Sequence, residues 1–365
     1  MAIAPRWRKI LRDLWHNKIR TLLVILSIAV GVFAVGVIIS TQIMLEEDMT
    51  CAYHATNPAS AFLYPESFDD SLIETIRRMD GIAEAEGRVD GANLRLKVGP
   101  DKWVPLRVDA LGDYDDIRLN LVTPISGAWP PPQKGLLVER QGLYLTNAQV
   151  GDEVEVETPD GKIRHLRLAG LAYDMANEPA QFSGNVYGYV TLETLEWLGF
   201  DREYDELAIQ VSEKADDKDH IQAIADQVEN KIEKSGRNVY WTWIPNPGEH
   251  PAKESIDPLL LILGVLGALS LLLSGFLVIN TISAILAQQV KQIGIMKAVG
   301  AQARQVIQMY LVMVLAFGLL SLLVAVPLGA WAAYAFTAYL AGLVNFDLSG
   351  FRIPLPALAV EITVG

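Results

Sequence analysis

Three cations, Lys291, Lys297 and Arg304, stand in the run NTISAILAQQVKQIGIMKAVGAQARQVIQMY from Asn280 to Tyr310, which contains no Asp or Glu. The chemistry open to such a segment is recognition. Its cations suit an acidic or polar groove on a partner, and Ile293 and Met296, one helical turn apart, suit apolar pockets. Bond-making chemistry has no comparable cluster. His54, His165, His220 and His250 are scattered without metal-ligand spacing and His16 lies near the N-terminus, so surface or packing histidines and no metal site are expected. Cys51 is the only cysteine, which excludes an internal disulfide. The sequence lacks a G-x-x-x-x-G-K-[ST] phosphate loop, the backbone cradle that holds nucleotide phosphates. With no nucleophile, base and orienting group to assemble, the chain reads as non-catalytic, with no cofactor of its own.

The elements that position the cationic run are apolar. Pro258 to Leu286 and Val306 to Leu343 hold no charged residue, and about 20 apolar residues cross a bilayer core of roughly 30 Å. Spans are expected at 258–287 and 305–343, with Pro327 and Gly329 breaking or kinking the latter near 327–329 and an extension beyond it. The segment 288–304 then forms a surface helix, which the positive-inside tendency assigns to the cytoplasm. Thr21 to Thr41 gives a first span at 21–42. Residues 1–20 form an interfacial amphipathic helix, with Trp7, Arg8, Trp15, Lys18 and Arg20 as headgroup-level anchors. A cleaved signal peptide fits less well, because no small-x-small site directly follows the apolar run. Asn280 inside the second span needs a partner in lipid: another helix across an interface, with Ser274 and Gly275 allowing close approach, or a Ser or backbone group within its own chain. Residues 355–365 begin a fourth apolar run too short to span, so the chain reads as the front part of a longer polypeptide.

Charge is gathered between the spans. Residues 43–257 carry 20 bases and 40 acids, too acidic for nucleic acid or anionic headgroups and long enough for a core of their own. An α+β extracytoplasmic domain is expected there. Strand patterns at 60–64, 82–98 and 103–110, with a helix at 67–79 capped by Ser67 or Asp69, open a split βαβ sandwich. A β-rich insert at about 130–185 follows Trp129-Pro130-Pro131-Pro132, and strand, helix and strand patterns at 186–191, 192–198, 206–211, 218–235 and 238–243 close the sandwich. Trp241, Trp243 and the Pro245-Asn246-Pro247-Gly248 turn read as an interfacial belt and stiff link.

Two motifs carry a resemblance. Leu14-Trp15-His16-Asn17-Lys18-Ile19-Arg20-Thr21-Leu22-Leu23, ahead of Ile28-Ala29-Val30-Gly31-Val32, looks like the lead-in to the first span of MacB/FtsX-like ABC transporter permeases. Lys291-Gln292-Ile293-Gly294-Ile295-Met296-Lys297-Ala298-Val299-Gly300-Ala301 is similar to that family's coupling helix, with Gln288, Gln289, Val290 and Gln292 standing where the family often has charged residues. The split sandwich and insert resemble its periplasmic core domain, with porter and sabre parts. The resemblance implies docking through Gln289, Lys291, Gln292, Ile293, Gly294, Met296, Lys297, Gly300 and Ala301 onto an ABC ATPase subunit that binds ATP and Mg. It also implies a second permease copy or half, an inner-membrane location with the N-terminus cytoplasmic, and mechanotransmission to the extracytoplasmic domain. On that reading the machine exports or extracts lipoprotein, peptide, lipid or drug; the alternative is a membrane-anchored sensor or scaffold acting on an extracytoplasmic partner such as a cell-wall hydrolase.

Overall fold

The computed structural model describes residues 18–300 and 302–364, without the side chains of Arg20, Ile285 and Gln292. The chain divides into two compact units, Met1–Glu47 with Ser255–Leu340 and Leu348–Gly365, and Asp48–Glu254 with Ala341–Asp347. Helix α1 (Lys18–Ala55) begins in the first and ends in the second. The anchors Trp7, Arg8 and Trp15 lie outside the described residues, and Lys18 is exposed at the start of α1.

The second unit runs β1 (Ala61–Pro65), α2 (Asp70–Arg77), β2 (Ile82–Lys97), β3 (Trp103–Leu111), β4 (Thr123–Gly127) and β5 (Gly135–Glu139). A 3-10 turn (Arg140–Leu145) leads to β6 (Glu153–Glu157), β7 (Ile163–Tyr173), the single turn α3 (Ala180–Ser183), β8 (Val186–Thr191) and α4 (Leu192–Leu198). β9 (Glu206–Val211), α5 (Lys218–Lys234) and β10 (Val239–Trp243) close it. Four strands lie in the order β10-β1-β9-β2, each pair antiparallel. With α2 and α5 as the two crossovers this is a β-α-β-β-α-β arrangement opened between its second and third strands. Alternation along β1 and β9 sends Leu63, Leu207 and Ile209 into one core with Ile73 and Ile76 of α2 and Ile221, Ala225 and Val228 of α5. On β1 and β10, Phe62 stacks on Trp243 at 5.2 Å and Tyr64 on Trp241 at 4.3 Å, so the two tryptophans brace an edge strand. Asp69 caps α2, its carboxylate accepting from the Ser71 N–H at 3.1 Å, as anticipated for one of two candidate residues.

β2 pairs with two neighbours along its length. Ile82 to Arg88 pair with β9, and Arg88 to Lys97 pair with β3. The register shifts between Val89 and Ala92, where Gly91 takes φ +66, a bulge within the β3 pairing just past the end of the β9 pairing. From there β2, β3, β8, β5, β7 and β6 pair in a ring that returns to β2. The insert is therefore broader than the 130–185 read from local pattern. The parallel pairing of β3 with β8 ties residues 103–111 and 186–191 into it, and no local periodicity reports a pairing across that separation.

The helical unit holds most of α1, α6 (Lys253–Ala298), α7 (Ala303–Val344) and α8 (Leu355–Val364). Among the described residues three helices, α1, α6 and α7, are long and apolar enough to cross a membrane. The separate surface helix expected at 288–304 is instead the end of α6, a turn, and the start of α7. Residues 287–298 contain no proline, and the one glycine costs only about 1 kcal/mol relative to Ala in a helix. Nor does α7 break at 327–329: it runs through Pro327. One lost N–H bond is tolerated in an apolar helix when its neighbours compensate. A Cβ at Gly329 would meet the Glu361 carboxylate at 3.5 Å and the Phe33 carbonyl at 3.8 Å, ordinary contact distances.

Candidate functional site

The cationic turn is shaped by two caps. At the end of α6 the Val299 N–H donates to the Ile295 carbonyl at 3.1 Å and the Gly300 N–H to the Lys297 carbonyl at 3.0 Å. Gly300 takes φ +99, a left-handed conformation that glycine adopts at little cost. At the start of α7 the Gln302 N–H donates to Gln305 Oε1 at 3.2 Å, the side chain of the first turn reaching back to the capping residue. Tyr310 Oη donates to Gln289 Oε1 at 2.5 Å, bracing one helix on the other.

On this frame Lys291, Lys297 and Arg304 are exposed and form no ion pair among the described residues. Gly294 has open space where a side chain would stand. Ile293 and Met296 are half-buried rather than free knobs. Exposed apolar groups outside the predicted contacts are Val290 at 62%, Ile295 at 57% and Val299 at 85%. The signal was available, since Val290, Ile293, Ile295, Met296 and Val299 at helical spacing spread apolar surface over opposite faces of the helix end rather than one stripe. Ala301 and the Gln292 side chain lie outside the described residues.

The residues expected at a helix–helix interface separate. Ser274 Oγ donates to the Ser27 carbonyl of α1 at 2.6 Å, and Gly31 leaves room for it, so Ser274 belongs to packing within the chain. Gly275 faces open space. Asn280 is exposed and makes no hydrogen bond among the described residues. In the same unit the Glu361 side chain rests against Gly36 of α1, and Arg352 pairs with Glu47 at 2.9 Å.

No group of His, Cys, Asp and Glu among the described residues is placed to hold a metal. His250 is a packing histidine: Nε2 donates to the Met175 carbonyl at 2.7 Å and Nδ1 accepts from the Ala252 N–H at 3.0 Å. Both bonds suit the neutral ring, and burial pushes its pKa down. Beside the β2 bulge, burial together with the Asp90 charge raises Asp109 and Glu206. Around them Asp109 accepts from the Gly91 N–H at 2.9 Å, Glu206 accepts from the Tyr64 hydroxyl at 2.9 Å, and Arg107 pairs with Asp90 at 2.5 Å. They fasten the bulge.

Residues 264–364 match the family model for the FtsX-like permease C-terminal region. By that segment the chain is similar to FtsX-like permeases. The match opens inside α6 and takes in the cationic turn, α7 and α8 within one FtsX-like region. The extracellular domain of the noncanonic ABC-type transporter YknZ from Gram-positive bacteria is similar at 11% identity and a TM-score of 0.35, over 51% of this chain and all 100% of that one. The periplasmic region of MacB from Actinobacillus actinomycetemcomitans is similar at 11% identity and a TM-score of 0.33, over 55% of this chain and 90% of that one. No curated protein matches.

Proposed function

We propose that this chain is the membrane subunit of an ABC transporter of the MacB/FtsX type, driven by a separate ATPase subunit. The carrying observation is the exposed cationic turn inside the FtsX-like segment, with Lys291, Lys297 and Arg304 unpaired among the described residues and apolar Ile295 and Val299 beside them. A turn of that composition suits a groove that is acidic or polar at its rim and apolar at its floor. Gly294 allows close approach of the partner's backbone, and Gln289, through Tyr310, keeps the two helices from parting.

On this reading the turn faces the cytoplasm, following the cation excess, and Asp48–Glu254 lies outside. ATP and Mg bind to the partner subunit. Closure of the ATPase pair moves the turn, and α6 and α7 carry the displacement outward as continuous helices. Gly275 and Asn280 remain on an open face of α6, suited to a second permease copy or half. The chain does no covalent chemistry; its extracytoplasmic unit does mechanical work on a lipoprotein, peptide, lipid or drug.

The test is co-purification of the full-length chain with its candidate ATPase in lipid nanodiscs. Met296→Asp places a charge beside the apolar contact, and Gly294→Pro removes an N–H and breaks the end of α6. Either is expected to lower ATPase association tenfold or more, the scale of a lost hot spot of about 1.4 kcal/mol or above. Wild-type association in both variants, or no ATPase bound at all, would give the lead to a sensor or scaffold.

A further inference from the structure

The helix that begins at the cationic turn ends inside the other unit. Ala341–Asp347 fold with Asp48–Glu254, and Ala341, Val344, Asn345 and Phe346 are buried there. α7 stops on Asn345, which takes φ +71, while the Phe346 N–H donates back to the Ala341 carbonyl at 3.1 Å. That is a left-handed helix cap in which Asn stands where glycine is usual.

The choice of residue has a visible reason. Asn345 Nδ2 donates to Glu139 Oε1 at 2.9 Å and to the Asp174 carbonyl at 2.6 Å. Its Oδ1 accepts from Arg140 Nε at 2.6 Å, and its own carbonyl accepts from Arg140 Nη2 at 3.0 Å. Arg140 continues to Asp347 at 3.2 Å and lies over the Tyr173 ring at 4.3 Å, and Gln141 donates to the Gly342 carbonyl. Glycine would supply the backbone conformation and none of the side-chain bonds. Most other side chains would be strained at positive φ, and only Asn brings both the conformation and an amide with two donors and an acceptor.

We infer that Asn345 is a positioning residue, a latch that fixes the end of α7 to the β5 end and the segment after β7, giving the extracytoplasmic unit a mechanical connection besides α1 and α6. Its role in transmission rests on the permease reading; the latch itself does not. The junction is rigid because every polar group of the Asn345 amide is satisfied in a dry site. A pull along α7 therefore reaches β5 directly.

The experiment is hydrogen exchange of residues 341–347 and of β5 in the full-length chain in lipid nanodiscs, with and without ATPase and nucleotide. Asn345→Gly keeps the cap and removes the docking, so exchange of 341–347 is expected to rise tenfold or more while α7 before residue 340 is unchanged. Asn345→Asp sets a carboxylate against Glu139, with Asp174 and Asp347 adding negative charge and Arg140 the one facing cation; Tyr173 and Tyr189 stay neutral. That variant is expected to be open at pH 8 and to close again by pH 6, when the paired carboxyls share a proton. A structural role at the cap alone would show neither the Gly effect nor this pH dependence. Wild-type protection in Asn345→Gly overturns the latch. Full nucleotide-driven change in β5 despite an opened latch overturns its part in transmission. A wild-type chain with no nucleotide response overturns the permease reading, and exchange at 341–347 still decides the latch.

Discussion

The two long helices α6 and α7 end in the same backbone conformation and for different purposes. Gly300 ends α6 with no atom within 4 Å of where its Cβ would lie, and the residues around it are exposed. Asn345 ends α7 at 2% exposure, with every polar group of its amide engaged. A left-handed position needs only the absence of strain, which glycine supplies most cheaply. Where the position must also hold a neighbouring element, Asn carries both demands. The comparison separates an exposed helix end from one already closed on its own chain.

Removing both functions of Asn345 should give the largest effect. Asn345→Ala strains the cap by about 1–2 kcal/mol and deletes three side-chain hydrogen bonds worth about 1 kcal/mol each. For a unit of this size, with roughly 2–4 °C lost per kcal/mol, thermal unfolding of the Asp48–Glu254 unit should fall on the order of 10 °C. A calorimetric shift below about 3 °C, less than one such hydrogen bond, would break the contrast between the two helix ends.

The next effect is pH. Burial raises Glu139, beside the latch, from 4.5 to about 7, and raises Asp109 and Glu206 as well. Carboxyls whose folded pKa lies above the unfolded one stabilise fully below the unfolded value, and that contribution is lost as pH rises through the folded pKa. His250, lowered by burial, runs the other way: its contribution is present above its unfolded value and lost as pH falls. Maximum stability of the unit is therefore expected on the mildly acidic side of neutrality, falling through pH 7 to 8. Glu206→Gln, measured by thermal melts across pH 5 to 9, should flatten the alkaline side. An unchanged slope there would remove Glu206 from the account.

Much of this was legible in residue order. Asp69 followed by an apolar-periodic helix announced α2, and alternation from Ile82 announced β2. The acid-free run around Lys291 marked the segment that joins α6 to α7, but as a helix of its own and not as a helix end and turn. What was not legible depends on distance along the chain. The ring of strands closes through Arg95 and Leu96 against Glu157 and Val156, and neither segment signals the other. Asn345 after an apolar helix reads locally as a helix stop, which it is; that its amide meets Glu139 and Asp174 needs a fold that brings positions 206 and 171 residues away to it. Of the two outcomes open at Pro327, break or kink, the helix runs on without a break, since the lost N–H bond is tolerated in apolar surroundings.

The smallest expected effect tests the open end. Gly300→Asn preserves access to the left-handed region, so the turn should survive with a change within about 0.5 kcal/mol, as for surface substitutions away from special features. Gly300→Ala should cost about 1 kcal/mol by strain alone. If Gly300 serves only the turn, ATPase association follows that order, with Asn near wild type and Ala mildly weakened. If Asn and Ala both abolish association, with helicity by circular dichroism unchanged, the missing side chain itself is what the partner requires. Gly300 would then be a contact residue rather than a cap, and the contrast with Asn345 would lie in what each end touches and not in how each chain turns.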